Sequence, residues 1–169
     1  ARNAVEVARR LEQAGVAAIT VHGRTRCCFF AGQAEYDTIA AVKAAVSIPV
    51  FANGDIDSPA AAARVLAHTG ADGVMIGRGA QGRPWILAEV GAGLFETPKP
   101  VIPTGRDYVD MVAGHYDAML SFYGRDLGGK TARKHLGWYM DHAVPDAALR
   151  HRVLTSEPDT VFDLLPDAL

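Results

Sequence analysis

The stretch Ala71-Asp72-Gly73-Val74-Met75-Ile76-Gly77-Arg78-Gly79-Ala80-Gln81-Gly82-Arg83-Pro84 constrains the fold more than any other part of the chain. Val74-Met75-Ile76 is a short apolar run bounded by glycines, the pattern of a strand covered on both faces. Gly77, Gly79 and Gly82 follow it, and because glycine has no Cβ their backbone N–H groups can approach an anion closely. Residues 77–82 spell G-x-G-x-x-G. A dinucleotide fold, however, needs a second strand after the helix with an acid about 20 residues on. Here the chain runs instead into Thr97-Pro98-Lys99-Pro100-Val101-Ile102-Pro103. The expectation is therefore narrower: a strand-to-helix turn on which a phosphate can rest, with a plain glycine-rich turn as the alternative.

Two similar units precede that stretch. Ala4, Val5, Ala8 and Leu11 recur at helical spacing before Gly15, which predicts a helix over residues 2–14. Val16 to Val21 then reads as a buried strand ending in His22-Gly23-Arg24. A second helix is expected at 37–46, with Ile39, Val42 and Val46 on one face and Asp37 as N-cap. Ile48 to Ala52 reads as the next strand, ending in Asn53-Gly54-Asp55. Ser58-Pro59 is an N-cap followed by proline at the first helical position, and the alanine-rich helix it opens stops at Gly70. Three strands thus alternate with helices, and each ends in a glycine flanked by polar residues. In parallel α/β sheets ligands lie at the carboxyl ends of the strands. Taken singly, His22 reads as a hydrogen-bonded structural residue, Asn53-Gly54 as a turn and Asp55 as a cap. Together they point to one shared site.

With 169 residues, 49% of them hydrophobic, and a net charge of −2, the chain has room for a core and a small second domain. It contains no run of about 18 apolar residues, and no membrane association is expected. No secretory leader is read at its start, so a cytoplasmic location is expected. The chain opens at once into a helical pattern, as a piece of a longer protein would. Cys27 and Cys28 are adjacent, a spacing that suits neither a disulfide framework nor a metal-ligand pair; they read as loop thiols, and no metal site is expected.

The sequence divides into residues 1–97, a Pro-rich linker at 98–103, and a helical segment at 104–169. The first helix of that segment places Tyr108, Met111, Val112, His115, Met119 and Phe122 on one stripe, with His115 a core histidine. The second, about residues 130–143, turns Ala132, Leu136, Tyr139 and Met140 inward and leaves Lys130, Arg133 and Lys134 as a basic edge, with Trp138 one turn on. Residues 121–152 carry six Lys or Arg against three Asp, whereas 153–169 carry four acids and no base. A basic segment followed by an acidic tail suggests an anionic partner for the former; an ordinary solvated helix face explains the charge equally well. Basic side chains beside an aromatic suit an RNA backbone and base, unless Trp138 and Tyr139 merely pack the helices.

Four runs of residues resemble the tRNA-dihydrouridine synthases, in particular the bacterial B-type branch. They are His22-Gly23-Arg24-Thr25-Arg26; Ile48 through Ile56; Gly70 through Trp85; and Ala132-Arg133-Lys134-His135. The resemblance spans nearly the whole chain, with the motifs in family order. It implies the carboxyl-terminal part of a flavin-dependent (β/α)8 TIM barrel, about three βα units, followed by a small all-helical domain that binds tRNA. It further implies that NADPH reduces FMN, and that the reduced flavin passes a hydride to a uridine of tRNA to give 5,6-dihydrouridine. Carried over by position, Asn53, Gly54, Asp55, Gly77, Arg78 and His22 would bind the cofactor, and Arg24, Lys130, Arg133, Lys134 and His135 would meet RNA. The family's catalytic cysteine matches neither Cys27 nor Cys28. The amino-terminal half of the barrel is not matched either, so the chain alone is expected to be inactive. Another FMN or phosphate-binding barrel oxidoreductase, or an RNA-binding module without catalysis, are the alternative readings.

Overall fold

A computed structural model describes residues 3–29 and 31–169; residue 2, the expected start of the first helix, lies outside them. The chain forms two compact units. One comprises the residues up to Ala80 together with Trp85–Pro100, the other Gln81–Pro84 together with Val101–Leu169.

The first unit is a parallel sheet of three strands, β1 (Ile19–His22), β2 (Val50–Asn53) and β3 (Gly73–Met75), in the order β1-β2-β3. Parallel pairing requires a crossover between successive strands. Here α2 (Asp37–Ala45) and α3 (Pro59–Thr69) supply it, with α1 (Ala4–Gln13) before the sheet and α4 (Ile86–Phe95) after it. The core is where the apolar periodicity converges: Ile39, Val42, Val50, Ala52, Ala62 and Ile86 are fully buried. Leu11, expected on the buried stripe of α1, keeps 39% of its surface.

The caps show why α3 was the clearest element to read. Ser58 Oγ accepts the Ala61 N–H at 3.2 Å, Pro59 is the first helical residue, and Gly70 at φ +65° donates its N–H to Leu66 O at 2.9 Å. Asp37 is not the cap of α2 but its first residue, and its carboxylate instead meets His68 Nε2 at 2.7 Å. The amino ends of the strands are clamped by acids. Glu12 Oε1 accepts the Ser47 and Ile48 N–H groups at 2.6 and 3.2 Å, while Asp72 Oδ2 accepts the Val50 N–H at 2.7 Å and also pairs with Lys43. Residues 96–104 hold no regular structure, so no strand follows α4 and the dinucleotide topology is absent among the described residues.

The second unit packs α5 (Gly105–Tyr123), α6 (Arg125–Ala143), α7 (Ala147–Thr155) and α8 (Pro158–Ala168). Gly128 lets α6 approach α5 closely, for a Cβ there would lie 2.7 Å from Met119 O. Ala132, Leu136, Tyr139 and Met140 are buried as expected, and so are Tyr108, Val112 and Met119. Phe122 departs from the expected stripe: it is 80% exposed, and Tyr116 and Leu120 fill the core instead. The acidic stretch is no tail. It forms α8, whose Val161, Leu164, Leu165 and Ala168 are buried, and Asp159 pairs with Arg125 at 2.7 Å. Among the described residues no helix is long and apolar enough to cross a membrane.

Candidate functional site

The strand register builds the site. His22 on β1 is paired with Asn53 on β2, and Asn53 with Met75 on β3. Side chains of residues level in a parallel sheet emerge on the same face, which brings the His22 and Asn53 side chains together. The Asn53 amide donates from Nδ2 to Met75 O at 2.8 Å, and its Oδ1 lies 2.6 Å from His22 Nδ1. A carbonyl only accepts, so Asn53 must turn Nδ2 toward β3 and Oδ1 toward β1; Oδ1 also only accepts, so Nδ1 carries the proton. The imidazole tautomer is thereby set.

A cleft of about 490 Å³ opens at these carboxyl ends, lined by His22, Asn53, Gly54, Asp55, Ile56, Asp57, Met75, Gly77, Arg78 and Gly79. That volume falls in the range of about 300–1,000 Å³ usual for small-molecule sites. All six candidate cofactor residues line it. Asp57, Ile56, Met75 and Gly79 were not anticipated as lining residues; Asp57 carries a signal in its place, two residues after Asp55 on the same loop.

Asp55 and Arg24 hold the rim. Asp55 adopts the left-handed conformation at φ +49°, which aspartate tolerates better than most residues. Its carboxylate accepts the Ala34 N–H at 2.7 Å and the Arg24 Nη2 at 2.8 and 2.6 Å. Burial alone raises the carboxyl's proton affinity, but the Ala34 N–H, the Arg24 guanidinium and the charge of Arg78 outweigh it and hold Asp55 below the usual carboxylate range. Arg24 also donates to Ala31 O at 3.2 Å and to Gly32 O at 2.6 Å. With a side chain only 4% exposed, Arg24 is an internal brace of its own loop. Tyr36 Oη donates to Gly54 O at 2.9 Å and steadies the same turn.

The glycines of the third strand's turn differ in what surrounds them. A Cβ on Gly79 would lie 2.6 Å from Ile56 O, so this glycine exists to let two loops touch. A Cβ on Gly77 would meet no protein atom within 4 Å. Gly77 therefore leaves open space in the wall of the cleft, beside Arg78, whose side chain is 58% exposed with Nη2 3.8 Å from Asp55 Oδ1. Backbone N–H groups beside a guanidinium suit an anionic group such as a phosphate. Among the described residues no group of three or more His, Cys, Asp or Glu could hold a metal ion.

Residues 1–161 match the family model described as Dihydrouridine synthase (Dus). The chain belongs to the dihydrouridine synthase family. It is 52% identical over 167 residues to a probable tRNA-dihydrouridine synthase of Rhodobacter capsulatus, covering 98% of this chain and 51% of that protein. It is 50% identical to tRNA-dihydrouridine synthase B of Xanthomonas axonopodis pv. citri over 98% of this chain and 50% of the relative. With the enzyme of that name from Vibrio cholerae it shares 50% identity over 88% of this chain and 46% of the relative. These similarities support the B-type branch of the dihydrouridine synthases. The chain spans about half the length of the curated relatives it matches.

The other residues expected to meet RNA lie on α6. Arg133 and Lys134 are exposed. Lys130 is exposed too, but its ammonium pairs with Asp126 at 2.9 Å one turn away. His135 is half-buried, its ring edge-on to His115 at 5.2 Å and to Trp138 at 5.0 Å between centroids. Burial and the neighbouring His115 lower its proton affinity, so His135 is neutral near pH 7 and adds no charge to the edge. Trp138 is likewise held in this aromatic group, which His115 joins to Tyr139 Oη at 3.0 Å.

Proposed function

We propose that this chain forms the carboxyl-terminal half of a flavin-dependent tRNA-dihydrouridine synthase, with three βα units of a (β/α)8 barrel followed by a helical tRNA-binding domain. One observation carries the reading: the six positions that match the family's cofactor motifs, drawn from three strands, line a single cleft. The open space at Gly77 and the guanidinium of Arg78 fit the phosphate of FMN, with Asn53, Gly54 and Asp55 along the neighbouring loop and His22 for the ring. When bound, the flavin supplies hydride transfer between NADPH and a uridine of tRNA.

The chain's own residues do the rest. Arg78 offsets phosphate charge. Asn53 fixes the tautomer and orientation of His22 at the cleft. Asp55 and Arg24 keep the loops from collapsing into the space the ligand needs. Arg133 and Lys134 would draw the tRNA backbone to α6.

The test is to produce the chain joined to its upstream coding half and to record its visible spectrum. The reading expects a yellow protein, bleached by NADPH, that forms dihydrouridine in unmodified tRNA; a colourless protein overturns it. The chain by itself, in which β1 and β3 are the edges of the sheet among the described residues, is expected to form no dihydrouridine. A second result follows for the RNA edge. Changing Arg133 and Lys134 together to Ala should weaken tRNA binding and lower the slope of log affinity against log salt by about 1 for each side chain lost. An unchanged slope in a titration over salt would remove these residues from the interface.

A further inference from the structure

The turn that walls the cleft is gripped at two points three residues apart. At Gly79 its backbone lies against Ile56 O and Asp57 Cα, where a Cβ would come within 2.6 and 3.1 Å. At Gly82 it lies against the backbone of α6, where a Cβ would fall 2.3 Å from Trp138 O, 2.8 Å from Trp138 C and 3.0 Å from His142 Cδ2. Gly82 is buried and has φ +69°, so both its conformation and its surroundings demand glycine. Between the two grips the chain passes from the first compact unit into the second, where Gln81–Pro84 belong. The obstacle at Gly82 is a carbonyl within a regular helix, which cannot yield without shifting the helix itself. Lys134 lies four residues before Trp138 on that helix, and Arg133 five.

We propose that Gly82 is a positioning residue that ties the anion-binding turn of the cleft to α6, so that FMN bound on Gly77 and Arg78 steadies the helix presenting Arg133 and Lys134 to tRNA. This rests on the functional reading above and adds a linkage between its two binding events. A ligand that orders residues 77–79 lowers the cost of ordering 81–84, and with them the stretch of α6 against Gly82. The dependence is reciprocal: whatever factor FMN adds to tRNA affinity, tRNA adds to FMN affinity.

Hydrogen exchange on the full-length enzyme, with FMN and without it, tests this directly. The amides of residues 138–142 are expected to exchange about tenfold more slowly once FMN is bound, within the usual span of linked binding effects. Unchanged exchange in a protein that visibly holds FMN overturns the proposal while leaving the functional reading intact; a protein that takes up no FMN overturns the reading itself. Gly82→Ala is expected to raise the KM for unmodified tRNA about tenfold and to remove the FMN-dependent slowing of exchange at residues 138–142. Gly82→Asn should be equally impaired, because asparagine accepts the positive φ but still carries a Cβ. A parental KM in the alanine variant, or recovery in the asparagine variant, contradicts the role given to close approach. Should either variant fail to fold, the exchange measurement on the parent decides.

Discussion

Asp55→Ala is expected to destabilise the first unit by about 3 kcal/mol, measured as the free energy of urea unfolding. That is the lower end of the range of about 3–5 kcal/mol for removing one partner of a buried ion pair, because the surviving charge is left without its counterpart. Arg24 is that survivor, 4% exposed, whereas Asp55 keeps 33% of its side-chain surface, which places the effect toward the lower end. The same substitution strands the Ala34 N–H, so the loop between β1 and α2 should loosen together with the rim. The dependence on pH has a definite sign. The Asp55 carboxyl is held below its ordinary value in the folded chain, so its contribution is complete above the unfolded value of about 3.9 and fades as pH falls through the lower folded value. Asp55→Asn should therefore differ most from the parent at neutral pH and converge toward it on acidification. A stability gap that widens with acid would show that the Arg24 pairing is not what holds the loop.

Gly77→Val should do the opposite: leave folding intact and remove the ligand. The Cβ of the new side chain would meet no protein atom within 4 Å, and the backbone there is not in the left-handed region, so the unfolding curve should move little. The side chain instead fills the space beside the backbone N–H groups and Arg78. Each charge-assisted hydrogen bond denied to a phosphate costs about 1.5–3 kcal/mol, or about 10- to 150-fold in affinity. Titrating FMN into the full-length variant measures this, and Gly79→Ala is the contrast. There the new carbon would strike Ile56 O, so stability and binding should fall together. Parental FMN affinity in Gly77→Val would move the phosphate away from this turn.

The elements that were legible in the sequence are those specified by their own neighbours. Ser58, Pro59 and Gly70 bound α3 where their local chemistry puts them. Strand boundaries were less legible, with β1 beginning at Ile19 rather than Val16. Val16 packs against the core although it precedes the strand, while Ala17 and Ala18 are exposed, so hydrophobicity does not mark where pairing starts. In α8 the buried series Val161, Leu164, Leu165 and Ala168 has helical spacing, but the acids among them read as a solvated tail when charge is counted and phase is not. Phe122 shows the reverse error, since it keeps step with the apolar stripe and is still 80% exposed.

Within the site, the strand-end residues could be located because strand order and the carboxyl-end rule suffice to gather them. The bracing role of Arg24 could not be read, for its partner Asp55 lies 31 residues away in the sequence. The role of Gly79 and Gly82 was equally hidden. As members of a glycine-rich turn they resemble Gly77, but what each of them touches is decided by chain segments remote in sequence.

The route of the backbone bears on how such a protein can be divided. Gln81–Pro84 belong with the helices although the bulk of that unit begins only at Val101. Cutting the chain within 98–103 therefore does not release an autonomous helical module. The piece carrying α5 to α8 would lose the tetrapeptide seated on α6 and expose the backbone around Trp138 that Gly82 covers. A helical segment grafted onto another barrel at the linker would arrive with that groove empty, so recombination between such proteins should succeed only when the turn after β3 travels with the helices.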